Sequence, residues 1–362
     1  MPDDQGVVKV VGCALVLGGL ALTASPAGAP AVATPTLAQM VGQKLVVSMD
    51  GTTPSASLLN RVRAGKVSGV LIHRYNFGSA AQLRAITSKL QQAAAAGGRP
   101  KLLIAVDQEG GTVKTISWIP PTLSPPQMGA LDSIETARTQ GRMTGRGLRG
   151  LGINTDFAPV ADVPGSTASF MYQEGRTWSF SAAKTARLAN AFARGLHDRG
   201  AVATMKHFPG LGFAARNTDV YLVHITATTD QLAPGLRPYR LAVQDGVPLV
   251  MLSNAAYDAY DRSHGAGWSP VIVRTLLRRE LGFRGVTMTD SLDAAAATRG
   301  TSPARLAISA TRAGTDLLVL TGTESESRGV YASLLQAATE GRVSSARLFA
   351  SYGRITALKA GL

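Results

Sequence analysis

Residues 181–208, SAAKTARLANAFARGLHDRGAVATMKHF, combine a helix pattern and a strand pattern in one short unit. Ser181 is a suitable cap and Gly200 a suitable stop for the amphipathic helix between them. The apolar run that begins at Ala201 predicts a buried strand. Helices that alternate with apolar strands are typical of a parallel sheet with helical crossovers.

The same alternation extends along the chain from Leu37. The strand candidates are KLVVSM from Lys44, GVLIHR from Gly69, KLLIAVD from Lys101, INTDFAPV from Ile153, AVATMKHF from Ala201, PLVMLSNA from Pro248, GVTMTDSL from Gly285 and TDLLVLTG from Thr315. Helical segments such as SAAQLRAITSKLQQAAAA from Ser79 lie between them. Eight β/α units fit one barrel and leave little chain for a second domain. The predicted fold class is therefore α/β, as a single (β/α)8 barrel of the TIM type.

The composition excludes several classes of protein. The chain has 362 residues, 45% of them hydrophobic and 17% charged, so it can bury a large core and is not a disordered chain. A net charge of +14 favours polyanionic surroundings. The basic residues are scattered along helical segments and match no nucleic-acid-binding motif, so we expect no nucleic-acid partner.

Cysteine and histidine usage gives no support for a metal site. The single cysteine excludes an intramolecular disulfide and a cysteine-based zinc site. The five histidines are dispersed along the chain. We therefore expect neither a metal nor another cofactor.

The amino terminus predicts export. Residues 10–24, VVGCALVLGGLALTA, are short for a membrane span and match the core of a signal peptide. The small residues that end at Ala33 offer a cleavage site. We therefore expect residues 1–33 to be a signal peptide or anchor and residues 34–362 to be an extracytoplasmic barrel domain. A lipid attached to Cys13 is a further alternative.

Polar side chains gather where the predicted strands end. They are Asp107, Glu109, Asp162, Lys206, His207, Ser253, Asn254 and Asp290. The carboxyl ends of the strands carry the active site in barrels of this type, so we expect these side chains to share one mouth. From the residues alone, Asp290 is either catalytic or a cap for the next helix, and Asn217 and Asp219 are either functional or turn residues.

Five ordered motifs give the chain a family resemblance. They are AVDQEGG at 105–111, FAPVADV at 157–163, EGRTWSF at 174–180, KHFPGLG at 206–212 and GVTMTDSLD at 285–293. The chain resembles glycoside hydrolase family 3, and within it the single-domain bacterial β-N-acetylglucosaminidases. The resemblance runs from about Leu37 to about Tyr352, and the KHFPG motif is typical of that branch.

The resemblance implies a role for particular side chains. Asp290 matches the catalytic nucleophile. The residues that match hydrogen-bonding partners of the terminal sugar are Asp107, Arg176, Lys206 and His207. The implied reaction is exo-acting removal of terminal N-acetylglucosamine with retained configuration, through a glycosyl-enzyme on Asp290. Cell-wall peptidoglycan fragments are the expected source of that sugar.

The chain departs from the family pattern in the loop that supplies the proton. The family loop reads KHFPGHG and ends in Asp-Ser-His, whereas this chain has Leu211 and then Asn-Thr-Asp at 217–219. Asp219 takes the place of the usual proton donor and needs burial or nearby carboxylates to raise its pKa. His224 is the alternative acid/base. Arginines that often follow DQEGG are replaced by Thr112 and Thr115.

Two other functions stay open at this point. The altered loop is compatible with a barrel that binds wall sugars without turnover, and the fold also serves β-glucosidases and β-xylosidases. The expected partner is a glycan or muropeptide that contains N-acetylglucosamine. We expect a monomer that works beside the cell wall or the membrane surface.

Overall fold

Eight parallel strands form the centre of the molecule, for which a computed structural model describes residues 34–362. The signal peptide or anchor predicted for residues 1–33 lies outside the described residues. The strands are β1 Leu45–Ser48, β2 Gly69–Leu71, β3 Leu103–Val106, β4 Thr155–Asp156, β5 Val202–Phe208, β6 Leu249–Leu252, β7 Val286–Ser291 and β8 Leu317–Leu320. They close in the order β1-β8-β7-β6-β5-β4-β3-β2, with every neighbouring pair parallel. The predicted (β/α)8 barrel is confirmed.

Helices surround the barrel. They are Leu37–Gly42, Ala56–Arg63, Ala80–Ala96, Pro125–Leu131, Ile134–Arg149, Phe170–Gln173, Ala182–His197, Thr229–Leu232, Arg237–Gln244, Val271–Glu280, Leu292–Thr298, Pro303–Ala313, Glu324–Thr339 and Ser345–Ala360, with short 3-10 turns at Arg74–Asn76, Ala233–Leu236 and Ala266–Trp268. None of the helices in residues 34–362 has the length and apolarity needed to cross a membrane.

Local capping explains where the helix before β5 begins and ends. The Ser181 hydroxyl accepts a hydrogen bond from the backbone N–H of Lys184 at 3.3 Å. Helix Ala182–His197 then runs to a turn in which Gly200 takes a φ of +71°, a left-handed conformation that favours glycine. The predicted cap and stop are both confirmed.

One end of the barrel is closed by apolar packing. The interior is filled by residues such as Val46, Leu103 and Leu249, and Ile355 of helix Ser345–Ala360 is buried among them. The Lys101 ammonium, just before β3, donates to the Leu362 carbonyl at 2.5 Å and fixes the chain end beneath the strands. Within residues 34–362, the interior of the barrel is therefore open only at the carboxyl ends of the strands.

Two small sheets shape that open end. A hairpin of Gln108–Gly110 and Val113–Lys114 follows β3. A three-stranded sheet of His224–Ile225, Ala256–Tyr257 and Asp261–Gly265 joins the loop after β5 to the loop after β6. The second sheet anchors the loop that carries Asp219.

Candidate active site

A cavity of about 440 Å³ opens at the carboxyl ends of the strands. Six of the predicted site residues line it: Asp107, Arg176, Lys206, His207, Asp219 and Asp290. Its apolar floor is made of barrel-interior residues, namely Leu71, Phe157, Met251 and Val319. The cavity is thus a blunt pocket with polar walls.

Glu109 holds the two cationic side chains of the pocket together. The Lys206 ammonium lies 2.6 Å from Glu109 Oε1 and 2.7 Å from Asp107 Oδ1. The Arg176 guanidinium binds the same Glu109 carboxylate in a bidentate manner, at 2.8 and 2.9 Å. Glu109 itself is almost completely buried. Glu109 is therefore a positioning residue. Its place at the end of a predicted strand indicated that it lies at the mouth of the barrel, but not that it orients Lys206 and Arg176.

The electrostatics of this cluster keep Glu109, Lys206 and Arg176 charged. Burial alone would raise the pKa of Glu109, but the charges of Lys206 and Arg176 lower it to about 2. Burial alone would lower the pKa of Lys206, but Asp107 and Glu109 raise it overall. A sugar in the pocket therefore meets fixed cationic donors next to a carboxylate acceptor.

Asp162 orients His207. Its Oδ2 atom lies 2.8 Å from His207 Nδ1, while its Oδ1 atom accepts the backbone N–H of Leu211 at 2.7 Å. Asp162 is fully buried, so the imidazole is held from behind. Because Nδ1 faces Asp162, Nε2 is the ring nitrogen left for the cavity.

The structure separates Asp290 from the capping role that the sequence left open. Ser291 caps the next helix, since its hydroxyl accepts the Ala294 N–H at 3.2 Å. Asp293 instead accepts the Thr321 N–H at 2.6 Å. Asp290, half-buried near the end of β7, accepts the Ser291 N–H at 2.8 Å and lines the cavity. Its carboxylate is free of helix capping and faces the ligand space.

Asp219 reaches the same cavity from the loop after β5. The turn is made by Asn217, whose side-chain oxygen accepts the Asp219 N–H at 2.9 Å. The residue as a whole is exposed, but its carboxyl group is enclosed by neighbouring protein atoms. That burial, followed by the charge of Asp290, raises the pKa of Asp219 to about 6. A proton donor at this position needs a raised pKa, and burial and Asp290 both act in that direction.

Asn254 connects the Asp219 carboxylate to the end of β7. Its amide nitrogen donates to Asp219 Oδ1 at 3.4 Å and to the Ser291 carbonyl at 3.1 Å. Its side-chain oxygen is buried and has no hydrogen-bond partner within residues 34–362. The backbone carbonyl is held by Arg299 at 2.8 Å, and that guanidinium lies over the ring of Trp268. Asn254 is thus fixed on both sides.

His224 lies away from these groups. It is in the small strand His224–Ile225, its Nδ1 atom is 3.0 Å from Asp258 Oδ1, and it does not line the cavity. The structure therefore places Asp219, and not His224, beside Asp290.

Further polar side chains line the cavity without having been predicted as site residues. His73, at the end of the second predicted strand, has its Nε2 atom 2.7 Å from the Ser48 hydroxyl. Arg74 and Lys114 also line the pocket, and Lys114 lies next to Thr115 in the segment where the family arginine is missing. His73 lies at the end of a predicted strand, as Lys206 does, so the same pattern places it at the mouth of the barrel.

The comparisons decide the family. The model described as "Glycosyl hydrolase family 3 N terminal domain" matches residues 36–358. The chain belongs to glycosyl hydrolase family 3. The resemblance carried by the five motifs is confirmed, and the protein is a glycoside hydrolase.

Three similar proteins illustrate the family relationship. An uncharacterized secreted glycosyl hydrolase of Arthroderma benhamiae is 32% identical, over 92% of this chain and 96% of its own. A beta-hexosaminidase of Idiomarina loihiensis is 30% identical, over 76% of this chain and 83% of its own. The crystal structure of a beta-N-acetylhexosaminidase from Beutenbergia cavernae is 32% identical with a TM-score of 0.83, over 90% of this chain and 99% of its own.

Proposed function

We propose that this protein is an exo-acting, retaining β-N-acetylglucosaminidase that releases terminal N-acetylglucosamine from cell-wall peptidoglycan fragments. The hexosaminidase names of its relatives support the choice of sugar. The observation that carries the mechanism is the placement of Asp290 and Asp219 on one cavity, where the pKa of Asp219 is raised to about 6. A retaining glycosidase needs one ionised and one protonated carboxyl group.

The first step forms a covalent intermediate. An Asp290 oxygen bonds to the anomeric carbon as the glycosidic C–O bond breaks, and Asp219 gives its proton to the departing oxygen. The products of this step are a glycosyl ester on Asp290, an ionised Asp219 and the free aglycone alcohol.

The second step releases the sugar. Ionised Asp219 takes a proton from water as the water oxygen bonds to the anomeric carbon and the ester bond to Asp290 breaks. Two inversions leave the sugar in its original β configuration. An anionic acceptor such as phosphate would be repelled by ionised Asp219 at short range, which favours hydrolysis over phosphorolysis.

The remaining polar groups bind the terminal sugar. Lys206, Arg176 and the Nε2 atom of His207 offer hydrogen-bond donors, and Asp107 offers an acceptor. Glu109 keeps Lys206 and Arg176 at fixed positions in the absence of sugar. This preorganisation supports binding of one ring in a defined orientation.

The closed floor supports exo action. The apolar residues beneath the pocket belong to the packed barrel interior, so a glycan cannot pass through and only its end can enter. The remainder of the glycan must leave through the mouth.

We further propose that the protein is exported and acts as a monomer at the cell envelope. The apolar run at residues 10–24 and the net charge of +14 support a location beside anionic wall polymers. A relative from Arthroderma benhamiae is named as secreted.

A panel of aryl β-glycosides tests the proposal. The purified protein should hydrolyse the N-acetylglucosaminide faster than the glucoside and the xyloside, and NMR should detect β-N-acetylglucosamine as the first product. Preference for the glucoside or xyloside would assign the sugar differently. No turnover of any activated glycoside, together with measurable binding of N-acetylglucosamine, would favour a sugar-binding barrel.

A further inference from the structure

Two neighbouring cavities lie on the side wall of the barrel, away from the active-site pocket. Their volumes are about 540 and 180 Å³, and helices Val271–Glu280, Pro303–Ala313 and Ser345–Ala360 supply most of their lining. Basic side chains line them: Lys44, Arg274, Arg278, Arg312, Arg342, Arg347 and Arg354, with Arg274 and Arg347 common to both. Among the described residues, no aspartate or glutamate lines either cavity.

Some of these arginines are neutralised by carboxylates just outside the cavities. Arg278 and Arg354 bind Asp316 at 2.6 and 2.8 Å. Arg342 binds Glu340 at 2.7 Å. Arg278 and Arg354 therefore share the single charge of Asp316, and Glu340 compensates the charge of Arg342.

Three guanidiniums have no such partner. Arg274, Arg312 and Arg347 form no salt bridge with any carboxylate in residues 34–362. All three are on the exposed side of their helices. Together they place three uncompensated positive charges around one cavity.

The end of helix Pro303–Ala313 holds two of these three guanidiniums in place. Arg274 donates through Nε to the Ala313 carbonyl at 2.8 Å and through Nη2 to the Arg312 carbonyl. Arg347 donates to the Arg312 carbonyl at 2.9 Å. These are the carbonyls that a helix leaves unsatisfied at its carboxyl end, where cations are favoured.

Arg274 and Arg347 each keep N–H donors that these contacts with carbonyl oxygens do not use. An arginine carries five N–H donors, and the contacts with the carbonyls use only some of them. Burial and then the charge of Arg347 lower the pKa of Arg274, so the two cations repel each other where they stand. An oxyanion that bridges them would relieve this repulsion and use the free donors.

We propose that Arg274, Arg312 and Arg347 form a binding site for a phosphate group on the side wall of the barrel. A tetrahedral phosphate has enough oxygens to bind more than one guanidinium fork, whereas a carboxylate has only two. The larger cavity leaves room for a group attached to that phosphate. The phosphate can come from a small molecule or from a phosphodiester polymer, and the site is independent of the proposed glycosidase activity.

Titration calorimetry of the purified full-length protein tests this site. The two probes are inorganic phosphate and poly(glycerol phosphate), each at constant ionic strength. The triple variant Arg274→Gln, Arg312→Gln, Arg347→Gln should bind phosphate at least about tenfold more weakly than the unmodified protein. Arg312→Gln alone should also weaken binding, and it leaves the helix-end contacts of Arg274 and Arg347 in place.

A charge-matched control separates this site from the general positive charge. Arg84, Arg146 and Arg237 are exposed and lie on other helices, so replacing them with glutamine removes the same charge elsewhere. The control triple should bind phosphate like the unmodified protein. Tighter binding of the polymer, lost in the site triple, assigns a polymer source, and equal binding per phosphate assigns a small molecule. Absence of phosphate binding, or equal losses in both triples, would overturn the proposal.

Discussion

The carboxyl group of Asp219 has to hold a proton for the leaving group and then accept one from water. With its pKa raised to about 6, it is protonated over a mildly acidic range in which ordinary aspartates are ionised. A raised pKa suits a general acid, because the Asp219 carboxyl group then stays protonated as the pH rises towards 6. Above that pH, reactions that depend on the proton should slow down.

Asp219→Ala should therefore separate substrates by leaving group. Turnover of glycosides with poor leaving groups should fall about 10²- to 10⁴-fold, while bond cleavage in activated aryl glycosides should change little. The decline of rate above about pH 6 should also disappear. Steady-state kinetics with a series of leaving groups measures this, and azide should restore activity as a β-glycosyl azide. Equal losses on all substrates would make Asp219 a structural loop residue.

Asn254→Ala should change the titration of Asp219. The Asn254 amide donates to the Asp219 carboxylate and lowers its pKa, so its removal should move the alkaline limb of the kcat profile to higher pH. We expect kcat to fall about fivefold as well. Asn190→Ala is the matched control, since Asn190 is also buried and donates to two carbonyls in a helix remote from the pocket. Identical pH profiles for the two variants would remove Asn254 from the mechanism.

The sequence predicted which side chains lie at the mouth of the barrel better than it predicted which of them interact with each other. Lys206, His207 and Asp290 were found because strand ends in this fold share one mouth. The bridge between Glu109 and Arg176 joins positions 67 apart in the chain, and no local pattern records that contact. Partnerships of this kind follow from the closed barrel and not from the spacing of the motifs.

The strands and major helices were predictable because each carries its own period and its own caps. The strand His224–Ile225 was not predicted, since two residues are too few to show a period and its pairing with Ala256–Tyr257 depends on the tertiary fold. This small sheet nevertheless anchors the loop that delivers Asp219. The strand that the sequence did not predict therefore lies beside the Asp219 loop, where this chain departs from the family pattern.

Buried Asp316 ties several elements together at the closed end of the barrel. It accepts hydrogen bonds from Arg278 of helix Val271–Glu280 and Arg354 of helix Ser345–Ala360, and from the Thr287 N–H of β7 at 2.9 Å. Burial alone would raise the pKa of Asp316, but the two arginines hold it below its usual value. The negative charge of Asp316 is therefore close to the two arginines only while these elements are packed in the folded barrel.

Asp316→Asn should destabilise the fold by about 3 kcal/mol, because two half-buried arginines lose their shared counter-charge, which is itself fully buried. Urea unfolding measures the change. Since the folded pKa is lowered, the contribution of Asp316 is present above its unfolded pKa near 4 and is lost as the pH falls below it. Asp198→Asn, which removes an exposed carboxylate between Arg138 and Arg142, should cost less than about 1 kcal/mol. Similar losses from both variants would contradict this role.

On the scale of the whole molecule, one barrel combines a blunt catalytic pocket at its open end with a strongly basic outer wall. The net charge of +14 predicts an attraction to anionic polymers that does not depend on the pocket. Composition predicted that attraction, but only the folded helices show where uncompensated arginines converge.

Export is a second prediction on the scale of the whole molecule. The native protein should begin near Thr34 and lie outside the cytoplasmic membrane, because residues 10–24 match a signal-peptide core and small residues precede the cleavage point. Amino-terminal sequencing of native material from fractionated cells measures this. A soluble cytoplasmic protein with intact Met1 would contradict export, while a lipid on Cys13 would make the protein a lipoprotein.

Covalent trapping tests the central claim, that Asp290 forms a glycosyl-enzyme with N-acetylglucosamine, most directly. A 5-fluoro N-acetylglucosaminyl fluoride keeps the acetamido group and slows both steps by destabilising positive charge at the ring, while its good leaving group lets the intermediate accumulate. Peptide mass spectrometry should find one sugar on Asp290 in the unmodified protein and none in Asp290→Asn. A sugar on any other carboxylate, or steady turnover of Asp290→Asn at a near-normal rate, would contradict the mechanism.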